Sequence, residues 1–278
     1  MFAKQFLRNS MRQQPIMMTQ YQRRFFDLHE FQSKYIMGKY GVNVQKGAIA
    51  LNETDAAKIA SGLSNKGGLI LKAQVKAGGR GKGTLTSGLK GGVKICKTPE
   101  EIKNFTKQMI GYNLITHQTP PEGLLVKSVL VHEGVDIDKQ LYLAILHDRK
   151  NQALCVVSST KGGMDIEEVA KEDPDAIKIH SFDIRTGLTK ESATKIVDSL
   201  ELPSGKLRDQ GIDQLQKLYQ MIIKLDATQI EVNPWAITPE KDIYCVDAKI
   251  NIDDNALFRQ QELLDMYKQG ANLTSAAD

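Results

Sequence analysis

A chain of 278 residues, 41% hydrophobic and 25% charged, has an ordinary globular composition and enough length for two compact lobes. It holds no apolar run near the roughly 20 residues that span a bilayer, and its three cysteines lack metal-ligand spacing, so a zinc site or disulfide framework is not expected and buried thiols are. Residues 1–26 carry Lys4, Arg8, Arg12, Arg23 and Arg24 and no acid; removing those five charges from the formal +4 leaves the body at −1, with no electrostatic case for a nucleic-acid partner.

The acid-free leader, with Phe2, Phe6, Leu7, Met11 and Ile16 between its cations, reads as a mitochondrial transit peptide removed near residues 24–26. Asp27-Leu28-His29-Glu30 follows as an N-cap acid with a glutamate three residues on, and Leu28, Phe31 and Tyr35 continue at helical spacing to Gly41. A β-like piece over residues 42–48 and a helix over 54–60, stopped by Gly62, come next. Residues 69–92 begin as an apolar strand and become a tract in which Gly78, Gly79, Gly81, Gly83, Gly88, Gly91 and Gly92 alternate with Lys76, Arg80, Lys82 and Lys90. Glycine lets the main chain approach an anion and turn several amides toward it, so this is read as a polyphosphate cradle; a flexible basic hairpin is the alternative. It matches neither the P-loop nor the dinucleotide fingerprint. Lys72 is the one cation inside the apolar strand, and a buried lysine needs a charge to meet; a phosphate is the candidate.

Thr98-Pro99-Glu100-Glu101 gives an N-cap, a proline at the first helical position and a glutamate at the third, leading into Ile102, Phe105 and Met109 on one face. Residues 124–133, 141–147 and 153–159 are β-rich and suggest an antiparallel meander. Thr160-Lys161-Gly162-Gly163 is a second glycine turn, either lining the same cleft or simply joining a strand to a helix at 166–170. Helices are expected over 189–200 and 208–225, the latter with Ile212, Leu215, Leu218, Tyr219 and Ile222 in a 3.6-residue period. Strands over 228–232 and 243–247 then frame Asn233-Pro234-Trp235 and a turn at 239–242. If they pair, Asn233 and Asp247 bring an amide oxygen and a carboxylate to one edge, the hard ligands that Mg2+ takes; local caps are the other reading. Residues 270–278 read as a frayed tail.

Leu28-His29-Glu30-Phe31-Gln32-Ser33-Lys34, Lys72-Ala73-Gln74, Ala77-Gly78-Gly79-Arg80-Gly81-Lys82-Gly83, Gly88-Leu89-Lys90-Gly91-Gly92, Gln108-Met109-Ile110-Gly111, Glu231-Val232-Asn233-Pro234 and Asp247-Ala248-Lys249 occur in that order. Together they closely resemble the nucleotide-binding part of the succinyl-CoA synthetase (succinate–CoA ligase) β subunits, over about residues 26 to 259. The resemblance implies an α+β ATP-grasp fold, two lobes with antiparallel sheets enclosing a nucleotide, over residues 27–262, with 263–278 as a tail and the family's second domain absent. It assigns Lys72, Gly79, Arg80 and Gly81 to the nucleotide phosphates, Glu133 and Val135 to the base and ribose, and Asn233 and Asp247 to Mg2+. Glu231 matches an acid that helps receive the phosphohistidine loop of an α subunit, so none of this chain's five histidines is expected to carry the phosphoryl group. Gln45 stands where GTP-preferring members carry glutamine and ATP-preferring ones tend to carry proline, which favours GTP/GDP over ATP/ADP. Gln140 replaces a usual glutamate and weakens an expected ribose contact. The implied reaction, in the mitochondrial matrix as part of the tricarboxylic acid cycle, interconverts succinyl-CoA, phosphate and NDP with succinate, CoA and NTP. A non-catalytic assembly subunit, or an ATP-grasp ligase acting on citrate or malate, are the alternatives.

Overall fold

The structure is a computed structural model that describes residues 26–272. The leader read as a transit peptide lies outside the described residues except for Phe26. The described residues divide into two compact units: a large-sheet unit of residues 26–28, 35–44 and 137–260, and a glycine-loop unit of residues 29–34, 45–136 and 261–272.

Strand β1 (Phe26–Asp27) precedes helix α1 (Glu30–Lys39). The cap expected at Asp27 is displaced, because Asp27 pairs in a strand with Asn251. Two residues later the Gln32 side chain reaches back to accept the His29 N–H at 2.9 Å, the return half of a capping box. The shift leaves the Glu30 carboxylate for another use.

In the glycine-loop unit come β2 (Gly47–Ala50), α2 (Glu53–Ser61), β3 (Leu69–Ala73), β4 (Thr84–Leu85), β5 (Val93–Cys96), α3 (Pro99–Met109), β6 (Asn113–Ile115), β7 (Leu124–Leu125) and β8 (Val129–Glu133). One antiparallel sheet runs β2-β8-β3-β5 and a smaller one β4-β6-β7. Strand alternation points Leu69, Leu71, Ala73, Val129 and Val131 to one face, where they form a core with Ala56 and Ala60 of α2 and Ile102 and Met109 of α3. Lys72 falls on the opposite face, across from Leu130. The expected cap of α3 is present: Thr98 accepts the Glu101 N–H at 3.2 Å, and Glu101 accepts the Lys97 N–H at 2.7 Å. The strand expected over 124–133 divides, since β7 and β8 belong to different sheets. Val126 N–H turns to Tyr112 O, and Ser128 O accepts from Gln74, which ends one pairing and starts the other. The meander therefore does not begin there.

In the large-sheet unit come β9 (Lys139–Asp148), β10 (Ala153–Ser159), α4 (Ile166–Glu172), β11 (Ile177–Phe182), α5 (Lys190–Ser199), α6 (Lys206–Lys224), β12 (Ala227–Ile237), β13 (Ile243–Cys245) and β14 (Ala248–Ile252). The antiparallel order is β1-β14-β12-β9-β10-β11, with β13 beside β12. Tyr142, Ala144, Leu146, Cys155 and Val157 share a core with Ile166, Val169 and Ala170 of α4. The periodic face of α6 is buried at Ile212, Leu215, Leu218 and Ile222, as its spacing predicts. A last helix, α7 (Gln261–Asn272), occupies most of the stretch read as a tail; it buries Leu263, and its Met266 carbonyl accepts from Gln32 at 2.7 Å.

The three cysteines are buried free thiols, and burial raises Cys96 to about 11 and Cys155 to about 12. Among the described residues, no helix is long and apolar enough to cross a membrane.

Candidate functional site

The charge that Lys72 meets is a carboxylate of its own chain. Glu30, its side chain 3% exposed, accepts from Lys72 Nζ at 2.7 Å through Oε1, while Oε2 lies 3.0 Å from Arg80 Nη2. Lys34 Nζ approaches Oε1 at 3.4 Å from the next turn of α1. Burial alone would raise the Glu30 carboxyl, but Lys72, Lys34 and Arg80 outweigh it and hold it well below the usual carboxylate range. Lys72, Lys34 and Arg80 thus converge on one buried carboxylate. Arg80 also donates to Ala73 O at 3.2 Å, which ties its guanidinium to the end of β3.

The glycine tract is a folded turn, not a flexible hairpin. Gly79 is left-handed (φ 70°), a 3-10 turn follows over Arg80–Lys82, and Gly91 and Gly92 N–H close the tract onto Gly83 O and Arg80 O at 2.7 and 2.8 Å. Gln118 Oε1 accepts the Gly78 N–H at 2.8 Å, and a Cβ on Gly79 would collide with the His117 ring. Gly81 differs: a Cβ there would have no neighbour within 4 Å among the described residues, so none of them demands glycine, and the small residue leaves main chain open to an outside group. His29, at the start of α1, is lowered to about 4 by burial and by Lys76 and Arg80.

The other residues expected near the nucleotide in this unit are more fully engaged. Gln45 is buried and its Oε1 accepts from Lys34 Nζ at 3.0 Å. Glu133, at the end of β8, accepts the Ser64 N–H at 2.9 Å. Val135 is half-buried two residues further on, next to the Gly134 N–H bond to Gly68 O.

In the large-sheet unit, the main chains of Asn233 and Asp247 meet: the Asn233 N–H donates to the Asp247 carbonyl oxygen at 3.0 Å. The register of β12 against β9 jumps between Val232 and Trp235, a bulge at Asn233-Pro234 that re-aims this stretch of strand. The Asn233 carboxamide also reaches the second glycine turn, accepting from Gly163 N at 2.7 Å and donating to Met164 O at 2.8 Å. That turn is packed on the start of β9, where a Cβ on Gly163 would strike Gln140 Oε1. So Asn233, Gln140 and the second glycine turn form one cluster. Burial raises the Glu231 carboxyl; cross-strand Lys249 lowers it, Asp247 raises it, and hydrogen bonds from Gln229 and Tyr142 favour the charged form.

As a Mg2+ site, the donor set fits in kind. A carboxamide oxygen has two lone pairs, so Asn233 Oδ1 can hold the Gly163 N–H and a cation together, and Asp247 supplies a carboxylate. No group of three or more His, Cys, Asp or Glu suited to a metal occurs among the described residues, but Mg2+ takes only one or two protein oxygens beside phosphates and water.

Sequence reasoning missed two features. Glu30 was read as a capping residue, although a lysine in an apolar strand and Lys34 one turn along α1 both called for an acid. Gln118 gave no local signal, since its contact with Gly78 spans 40 residues.

Residues 27–237 match the family model described as an ATP-grasp domain. The chain is 47% identical over 250 residues, 90% of its length, to the mitochondrial β subunit of GDP-forming succinate–CoA ligase from Bos taurus. It is 44% identical over 243 residues, 87% of its length, to the ADP-forming mitochondrial β subunit from Dictyostelium discoideum. It spans 57% and 54% of the lengths of these two relatives. Among solved structures, a dinucleotide-forming acetyl-coenzyme A synthetase from Ca. Korarchaeum cryptofilum superposes with a TM-score of 0.60 at 18% identity, covering 82% of this chain and 93% of that one. ATP citrate lyase from Methanothrix soehngenii gives 0.61 at 16%, covering 87% and 54%. These last two are likenesses of fold. With the α+β architecture in place and the family model matched across both units, the chain belongs to the ATP-grasp family.

Proposed function

We propose that this chain is the nucleotide-binding part of a succinate–CoA ligase β subunit in the mitochondrial matrix, where residues 1–26 would act as its targeting leader. With an α subunit it would interconvert succinyl-CoA, phosphate and NDP with succinate, CoA and NTP, through a histidine of that partner. The reading is supported by 47% identity to a mitochondrial β subunit over 90% of the chain. The observation that carries it is the cluster in which one buried carboxylate holds Lys72 and Arg80 beside an open glycine turn. Such a cluster is preorganised for a polyphosphate: its cations are oriented before the ligand arrives, so little reorganisation is needed when charge moves along the phosphates.

In this reading Lys72 and Arg80 neutralise the phosphates, Gly79 makes the left-handed turn into Arg80, and Gly81 leaves main chain free beside them. Glu133 and Val135 border the base and ribose, with Gln140 in place of an acid. Asn233 and Asp247 would hold Mg2+, which supplies charge neutralisation when bound. Glu231, its carboxyl raised by burial and hydrogen-bonded by Tyr142 and Gln229, would face the partner's histidine loop. Gln45 favours GTP/GDP over ATP/ADP.

The test is to mix the chain with a succinate–CoA ligase α subunit and γ-labelled GTP and Mg2+. Acid-labile phosphohistidine on the partner is expected, and it is lost in Arg80→Ala. No label together with no nucleotide binding overturns the proposal. Nucleotide binding without label favours an assembly role, and turnover with citrate or malate in place of succinate favours the other CoA ligases.

A further inference from the structure

Gln45 and Lys34 meet where neither is free to turn. Both are buried at 5% exposure, and Lys34 Nζ donates to Gln45 Oε1 at 3.0 Å. An ammonium has donors and no acceptor, so it fixes which end of the carboxamide faces it: the oxygen must, and the NH2 must not. Lys34 is itself anchored, since its Nζ lies 3.4 Å from Glu30 Oε1, the oxygen that Lys72 grips at 2.7 Å. For the lysine to leave Gln45 it would also have to leave a buried carboxylate, which is costly. The amide thus has one orientation where an unrestrained glutamine would have two.

From this contact we propose that Lys34 is a positioning residue for nucleobase choice. By occupying the Gln45 oxygen it leaves the NH2 group as the end that a base can use, and the site thereby favours guanine over adenine. The inference rests on the nucleotide reading above and deepens it. Guanine offers acceptors at O6 and N7, whereas adenine replaces O6 with the N6 amino group, a donor. A fixed NH2 matches the first and opposes the second. A glutamine free to flip could present its oxygen to the adenine amino group and would discriminate poorly. An amide alone therefore does not set the preference; the ammonium behind it does.

The test uses the full chain and measures Kd for Mg-GDP and Mg-ADP by calorimetry, reading the ratio Kd(ADP)/Kd(GDP). A purely structural role for Lys34 weakens both nucleotides alike and leaves the ratio unmoved. The expected result is a ratio above one in the wild type that falls by about 5- to 10-fold in Lys34→Met, the scale of one mismatched buried donor. Lys34→Arg, which still offers only donors, keeps most of the ratio. In a Gln45→Met background, Lys34→Met changes the ratio no further, because the two act as one unit. Should Lys34→Met fail to fold, Lys34→Gln reads the same quantity, since its amide lets Gln45 turn either way.

An unchanged ratio in a Lys34 variant that still binds both nucleotides overturns the inference, as does the same fall in the Gln45→Met background. A wild type that binds neither nucleotide overturns the underlying reading instead, and a wild type that prefers ADP overturns the base assignment together with this inference.

Discussion

The two units organise their candidate groups by different physics. In the glycine-loop unit, Lys72, Arg80 and Lys34 converge on one buried carboxylate, so the local order is set by ion pairs in a low-dielectric setting. In the large-sheet unit, Asn233 is placed by a strand bulge and held by neutral hydrogen bonds to a neighbouring turn, and the acid nearby, Glu231, is pushed toward its uncharged form. Pairing charges makes a site strong and sensitive to the loss of any member. Amide hydrogen bonds at a half-exposed turn make a site that tolerates change, because water can replace what is lost.

The largest effect should come from breaking the carboxylate. Glu30→Gln removes the carboxylate that Lys72, Lys34 and Arg80 share, and removing one member of a buried pair costs roughly 3–5 kcal/mol. Hydrogen exchange at the β3 and β8 amides should show that loss, while the fluorescence of Trp235, the chain's one tryptophan and part of the large-sheet unit, should change little at equal denaturant. Equal destabilisation by both probes would remove the contrast between the units. The sign with pH is also fixed. Because the Glu30 carboxyl is held below its ordinary 4.5, its contribution is fully present above that value and drains away as pH falls below it.

His29 sharpens the same contrast at milder pH. Its folded value of about 4 lies below the ordinary 6.5, so the unfolded chain takes up a proton first as pH falls. Stability from this group is complete above 6.5 and is lost between 6.5 and about 4, amounting to roughly 3 kcal/mol. His29→Asn should flatten that part of the pH–stability curve, measured as the urea midpoint at pH 7 and at pH 4.5. A curve as steep as in the wild type would assign the acid sensitivity to His132, which is also buried and lowered, first by burial and then by Lys34 and Lys72.

What the sequence made legible follows the range of the forces involved. The cap of α3 was readable because Thr98, Pro99 and Glu101 settle it among themselves. Asn233 and Asp247 were readable as neighbours because a hairpin converts a short sequence separation into register. The need for a charge at Lys72 was readable too, and Lys34, one turn along α1, was a local sign that Glu30 is more than a capping acid, but the partner of Lys72 lies 42 residues away on another element. The strand over 124–133 failed for the same reason. Its residues suit β structure throughout, and only the pairing partners decide that β7 and β8 lie in different sheets.

Smaller effects belong to the large-sheet unit. Gly163→Ala places a side chain on a residue at φ 75° and against Gln140 Oε1. The left-handed conformation alone costs about 1–2 kcal/mol for an alanine, whereas the clash is with the end of a flexible side chain and can be relieved. Adding Gln140→Ala should therefore restore only a minor part of the loss seen by Trp235 fluorescence. Full restoration would mean that the clash, not the backbone, sets the requirement for glycine.

Asn233→Ala should be the mildest of these changes to the fold. It strips the Gly163 N–H and the Met164 carbonyl of their partners, but both residues are exposed, so water replaces the bonds and the net cost is about 1 kcal/mol. Faster tryptic cleavage after Lys161, with global stability, read from the denaturant midpoint, lowered by no more than about 1 kcal/mol, is the readout that follows. Asn233→Asp separates the two bonds: a carboxylate still accepts from Gly163 but repels the Met164 oxygen, so cleavage should fall between that of the wild type and that of Asn233→Ala. If Asn233→Asp is cleaved as fast as Asn233→Ala, the donation to Met164 carries the whole restraint, and the amide nitrogen, not the oxygen, is what holds this turn.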